Sequence, residues 1–215
     1  ISKEVTFRGD WSVKNPLGPA GGWSFEFEND YFPDVDDTIE ALHLLRRVDL
    51  PDTEKEGPIQ RGLAWMLSMQ CDNGGWAAFD KNNVSEWVNK IPFSDHGACL
   101  DPPTPDITGR MLELLADFRY GPKDPPVKRA LDFLHRTQEA NGPWKGRWGV
   151  SFLYGTWCVL QGLAAIGENR LSPDIRKAVG WLESIQNKDG GWGESCLSDT
   201  RNAFVASDSS PSQTA

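Results

Sequence analysis

The sequence predicts an all-α fold, an α/α toroid or barrel with a helical solenoid as the alternative, and three observations carry that prediction. One frame of residues recurs three times. Each copy has the apolar spacing of a helix and ends in a turn segment at the same offset. Ten Trp, 21 Gly and 15 Pro in 215 residues fit many helix ends and tight turns better than a plain bundle.

Along the chain, Gly21-Gly22-Trp23 looks like the tail of a copy whose helix would precede Ile1. Asp37-Thr38-Ile39-Glu40 has the form of a capping box and predicts a helix to about Val48. The first full copy runs Arg61-Gly62-Leu63-Ala64-Trp65-Met66, then Gln70, then Gly74-Gly75-Trp76. Residues 104–118 carry the next helical pattern, with Pro105 near its start. The second copy runs Arg129-Ala130-Leu131-Asp132-Phe133-Leu134, then Gln138, then Gly142-Pro143-Trp144. Residues 152–166 are helical again, and the third copy runs Lys177-Ala178-Val179-Gly180-Trp181-Leu182, then Gln186, then Gly190-Gly191-Trp192. In every copy Gln follows the aromatic by five residues and Trp follows Gln by six. The small residue and the aromatic three later form a buried stripe, and Gly supplies the left-handed turn that stops the helix. The Gln amide is expected to cap the next helix and stack on the following Trp, stapling one helix's exit to a neighbour's start.

Residues 84–105 form the longest irregular stretch, with Pro92, Pro102, Pro103 and Pro105, and long loops in compact domains are often functional. The chain opens at Ile1 without Met and closes on Pro211-Ser212-Gln213-Thr214-Ala215, which reads as a helix start. Residues 1–215 are therefore expected to be part of one α/α-barrel catalytic domain of a longer protein, cut at both ends.

A net charge of −9, from 22 basic and 31 acidic residues, argues against general nucleic-acid binding. No apolar run approaches a membrane span, which leaves attachment to one membrane face open. Cys71, Cys99, Cys158 and Cys196 are widely spaced, so a reduced, cytosolic setting is the simplest expectation. With only His43, His96 and His135, a zinc site is poorly supplied.

The segment most suggestive of chemistry is Asp34-Val35-Asp36-Asp37-Thr38, which follows Tyr31-Phe32-Pro33. Asp is a favoured N-cap and acids suit the positive end of a helix, so capping accounts for one Asp comfortably and a second adequately. It does not explain a third behind Phe25, Phe27, Tyr31 and Phe32. Clustered carboxylates cannot all ionise, so one keeps a proton near neutral pH and can act as a general acid. Asp-rich motifs also bind Mg²⁺, but such sites usually serve phosphates, and no P-loop accompanies this one.

The recurring frame resembles the QW motif of triterpene cyclases, and Asp34-Val35-Asp36-Asp37-Thr38 resembles the DxDD motif of squalene–hopene cyclases. Asp101-Pro102-Pro103-Thr104, Gly146-Arg147-Trp148-Gly149 and Tyr154-Gly155-Thr156 look like family segments in family order. The resemblance implies a terpenoid-cyclase-like toroid that protonates squalene and folds it through a carbocation cascade to hopene or hopanol, with no cofactor and no metal. It implies that Asp36 donates the proton while Asp34 and Asp37 hold its charge and geometry. By position, Phe25, Phe79 and Trp148 look like cavity walls with Tyr154 nearby, whereas Trp76, Trp144 and Trp192 stay structural. Residues 84–105 are similar to the family's substrate entrance, with Phe93, Ser94 and His96 at the constriction.

Two departures bear on this. One form of the family has His where this chain has Arg110, and Tyr where it has Phe79. Arg110 lies one helical turn after Asp106; it stays charged, so it can stabilise an ionised aspartate but cannot relay protons. Phe79 loses a hydroxyl and keeps its π face. Arg147 is a second candidate partner for the acid network, its alternative being a surface cation. The resemblance further implies a monotopic protein on the cytoplasmic side of the membrane, with squalene as its small-molecule partner and a homodimer left open. The rival readings are another DxDD-type terpene cyclase, a glycosidase with paired acids, and a non-catalytic α/α-toroid protein-binding scaffold.

Overall fold

A computed structural model describes residues 1–85 and 100–207. The chain divides into two compact units, Ile1–Pro103 and Thr104–Ala215. The described residues form helices: α1 (Val35–Arg47), α2 (Asp52–Ser68), α3 (Pro105–Asp117), α4 (Pro125–Thr137), α5 (Ser151–Ala165), α6 (Pro173–Ser184) and the short α7 (Leu197–Arg201), with one 3₁₀ turn at Asp10–Val13. Extended pairing among them is limited to the isolated bridges Trp23–Asp34, Asn83–Asp101 and Glu194–Ala206.

In the first unit, α1 packs on α2. Val35, Ile39, Leu42 and Leu45 recur at helical spacing on α1 and are buried, as are Ile59, Leu63, Trp65 and Met66 on α2. Gly62 on α2 lies against Leu42 and the Trp23 ring, so the stripe's small residue makes room for the apposed apolar groups. The helix opens earlier than the capping-box reading placed it. Asp34, three residues before Asp37, is the N-cap, and its carboxylate accepts the Asp36 and Asp37 N–H groups. The Val35 N–H is taken by the Ala78 carbonyl, a partner no local pattern could disclose.

The three copies of the frame build the same joint. The Trp76, Trp144 and Trp192 indole N–H groups donate back to the carbonyls of Met66, Leu134 and Leu182 at 2.8, 2.7 and 2.9 Å. The Gln70, Gln138 and Gln186 amides donate to the carbonyls of Gly74, Gly142 and Gly190 at 2.8, 2.7 and 2.7 Å. Those glycines stand at φ +96°, +123° and +88°, where a side chain would be strained. Each Gln thus closes its own loop, a partner the sequence reading did not name, while the expected link from one helix's exit to a neighbour's start is present at Gln138. Gln138 also donates to the Asp174 carbonyl in the first turn of α6 at 2.8 Å. Gly21-Gly22-Trp23 departs from the full copies: the left-handed residue is Gly22, directly before Trp23, where it lies against the Trp65 ring and Thr38.

In the second unit, α3 packs on both α4 and α5. The α3–α5 crossing is close because both helices present glycine: a side chain on Gly162 would run into the Gly109 carbonyl, and one on Gly109 would meet the Cys158 carbonyl. Asp106, Thr108 and Thr156 are buried in this unit beside Ile107, Met111, Leu112 and Val159. The other face of α5 stays open, with Trp157 56% exposed.

Candidate active site

The acidic segment sits where a bridge ends and a helix begins. The Asp34 N–H donates to the Trp23 carbonyl at 2.8 Å, and Thr38 Oγ1 accepts the Trp23 N–H at 2.9 Å, which pins both ends of the turn. Asp34 is 5% exposed, and its Oδ1 accepts from the Asp36 N–H at 2.6 Å and the Asp37 N–H at 3.1 Å. Burial pushes its carboxyl up from 3.8 to about 7; the Asp37 and Asp36 N–H groups pull it down, and the charges of the same two residues add to the rise. Asp36 and Asp37 are half-buried in the first turn of α1. Capping and proton retention, weighed as alternatives from the sequence, thus fall on the same residue.

Phe79 lies three residues after the first joint tryptophan, on a loop gathered around Asp101. One carboxylate oxygen accepts the Phe79 and Asp80 N–H groups at 2.5 and 2.6 Å, and the other accepts the Ala78 N–H at 3.2 Å. Asp101 is 6% exposed, and burial raises its carboxyl above the usual carboxylate range against the pull of those N–H groups. Sequence reasoning quoted Asp101 only as part of a family segment. Thr104, not Asp101, is the N-cap of α3. Phe79, Asp101, Phe32 and Pro33 share a cavity of about 180 Å³ with Trp11 and Asp80.

The second unit gathers another group. Asp106, in the first turn of α3, is fully buried, and its Oδ2 accepts the backbone N–H groups of Arg147 at 2.8 Å and Trp148 at 3.1 Å. Gly146 lies directly on that carboxylate. Arg147 thus meets Asp106 through its main chain, and its guanidinium carbon stands 5.6 Å from the Trp148 ring centroid. Gly149 lies so close over the Tyr154 ring that any side chain there would overlap it, which sets Tyr154 against the loop that carries Trp148. Tyr154 and Trp157, their centroids 5.8 Å apart, line a mostly apolar cavity of about 550 Å³ with Leu153, Leu160, Leu182 and Trp192. Arg110 is half-buried on α3, one turn beyond Asp106.

The candidate site residues thus divide between the units. Asp34, Asp36, Asp37, Phe25 and Phe79 belong to the first; Asp106, Arg110, Arg147, Trp148 and Tyr154 belong to the second. Phe93, with Ser94 and His96, lies outside the described residues. Phe25 is 77% exposed and Trp148 50% exposed, so neither serves as core packing within its own unit. Among the described residues, no three His, Cys, Asp or Glu side chains gather as a metal site would require.

Residues 1–215 match the family model for the squalene–hopene cyclase C-terminal domain over their whole length. The chain belongs to the squalene–hopene cyclase family. Its sequence is 46% identical over 216 residues to the squalene–hopene cyclase of Zymomonas mobilis, covering 97% of this chain and 32% of that protein. Identity to the squalene–hopene cyclase of Alicyclobacillus acidocaldarius is 43% over 217 residues, covering 100% of this chain and 34% of the relative. The chain therefore spans about a third of the length of these curated relatives. Among solved structures, the apo type II terpene cyclase MstE from Scytonema matches with a TM-score of 0.58 and 26% identity, covering 86% of this chain and 48% of that one. The same cyclase with geranylgeranyl dihydroxybenzoate bound as substrate matches with a TM-score of 0.59 and 25% identity, over 86% of this chain and 50% of that one. The fold class is that of the family, an all-α α/α toroid. Within that family frame the tethers to Phe79 and Trp148 stand out, since both loops follow a joint tryptophan and both end on a buried carboxylate.

Proposed function

We propose that this chain carries the proton-delivering segment of a squalene–hopene cyclase, which converts squalene to hopene or hopanol. One observation carries the reading: in a chain of this family, a buried Asp34 with its carboxyl raised to about 7 caps the helix whose first turn holds Asp36 and Asp37. The names of the curated relatives support it.

In the proposed reaction Asp36 is the donor. The terminal alkene's π pair forms a C–H bond as the Asp36 O–H bond breaks, leaving a tertiary cation and a carboxylate. Asp34, raised to about 7, is largely neutral below pH 7 and about half protonated at pH 7; in its neutral form it adds no charge that would hold the Asp36 proton back. The positive end of α1 favours the carboxylate left behind, and Asp37 and Arg110 are assigned to holding that charge and geometry. Each ring closes as the next alkene attacks the cation. The last cation loses a proton to give hopene, or takes up water and then loses a proton to give hopanol. A proton enters and a proton leaves, so electrons balance without a redox cofactor.

Phe25, Phe79, Trp148 and Tyr154 are assigned to the walls facing the cations, because π faces stabilise positive charge where water is excluded. Asp106 and Arg147 are assigned to holding the Trp148 loop. Squalene resides in lipid, so we place the full-length protein on the cytoplasmic face of a membrane. Among the described residues, no helix is long and apolar enough to cross one.

The test uses the full-length protein, squalene and a chelator, with products identified by gas chromatography and mass spectrometry. Pentacyclic products are expected, and Asp36→Asn should abolish them. Parental rates in that variant would remove Asp36 as donor. Turnover of a geranylgeranyl-bearing aromatic in place of squalene would move the chain to the substrate class of the Scytonema cyclase.

A further inference from the structure

Helix α5 begins without a cap of its own. Its N-cap position is Val150, which has no side-chain hydrogen bond to offer. A helix start leaves four backbone N–H groups without helical partners, and here they fall in a buried place, with Ser151 and Phe152 only 2% and 4% exposed. Glu194 supplies the missing acceptor from far along the chain. Its two carboxylate oxygens accept the Phe152 N–H at 3.1 and 3.0 Å, and Oε2 also accepts the Leu153 N–H at 2.7 Å. Glu194 is 8% exposed, and a negative group at this end suits the helix's partial charge.

Glu194 is itself held in place. It forms an isolated bridge with Ala206, the Ser195 N–H donates to the Val205 carbonyl at 2.9 Å, and the Ser207 N–H donates to the Gly193 carbonyl at 3.1 Å. On the near side, Trp192 is bolted to the Leu182 carbonyl by the third joint. The residue directly after the captured Leu153 N–H is Tyr154, whose ring supports Gly149 and borders the 550 Å³ cavity. A shift in the first turn of α5 therefore moves the Tyr154 ring and the Trp148 loop resting on it.

We infer that Glu194 is a positioning residue for Tyr154: as a remote cap of α5, it sets where that ring stands in the cyclisation cavity. The inference rests on the proposed cyclase function.

The experiment is a double-mutant cycle in the full-length protein with squalene, combining Glu194→Gln with Tyr154→Ala, alongside hydrogen exchange of Glu194→Ala. Gln keeps one acceptor oxygen and loses the charge, so kcat should fall about tenfold with KM within about twofold. If Glu194 acts through Tyr154, adding Glu194→Gln to Tyr154→Ala should lower kcat by less than about twofold further. Parental kcat in Glu194→Gln, or a full tenfold loss on top of Tyr154→Ala, overturns the inference. Exchange in the peptide over residues 150–157 should rise in Glu194→Ala while that over 105–117 stays unchanged. Should the parent make no cyclic product from squalene, the functional reading fails, and unchanged exchange over 150–157 overturns the cap on its own.

Discussion

Replacing Asp34 with Asn isolates the effect of burying its carboxyl. The carboxyl lies 5% exposed and is pushed from 3.8 to about 7, chiefly by burial. Three pKa units at about 1.4 kcal/mol each amount to about 4 kcal/mol. Below pH 3.8 the group is neutral in the folded and the unfolded chain, and its contribution is fully present. Between 3.8 and about 7 the unfolded chain releases a proton that the folded chain retains, so stability falls as pH rises. Above 7 both states are ionised and the loss is complete. Asn keeps an oxygen for the Asp36 and Asp37 N–H groups and cannot ionise. The variant should therefore melt like the parent near pH 4 and exceed it by a margin that grows to a plateau above pH 7. Thermal unfolding of the full-length parent and variant, followed at intervals from pH 4 to 8, reads that margin. A margin equal at pH 4 and pH 8, or one that shrinks as pH rises, would refute the burial argument. A variant more stable at neutral pH and poorer in catalysis is the usual exchange at a functional carboxyl.

Two further outcomes follow from the joints and the helix crossing. Gln138→Ala loses two hydrogen bonds and should cost about 2 kcal/mol, whereas Gln186→Ala loses one at an exposed site and should cost under about 1 kcal/mol; equal losses on denaturant unfolding would contradict this. Gly162→Ala should destabilise by about 2 to 4 kcal/mol, because its Cβ would enter the Gly109 carbonyl. Gly180→Ala, on α6 with open space around it, should instead stabilise by about 0.5 to 1 kcal/mol, and loss at both positions would count against the steric account.

Local signals read well where their partners were local. Residues 104–118 were expected as a helix, and α3 occupies Pro105–Asp117 with Thr104 and Phe118 as its caps, because proline at the start and apolar spacing both act within a turn or two. The start of α1 was harder. Three acids in four residues each suit an N-cap, and the choice of Asp34 depends on Val35 bonding to Ala78. Asp101 left no local signature as a tether, since its partners lie 21 to 23 residues away. Arg147 drew notice for its charge, and what Asp106 accepts is its main-chain N–H, which any residue but proline would have supplied.

The span of the bonds also orders the folding of the chain. Each joint closes over ten residues or fewer, so it can form as soon as its own stretch of chain is made. The carboxylate tethers at Asp101, Asp106 and Glu194 span 21 to 42 residues and must wait for chain synthesised later. The nascent chain would therefore acquire its helical scaffold first and the final placement of Phe79, Trp148 and Tyr154 last. A cell short of chaperones would then lose the placement of these aromatic side chains before it lost helices.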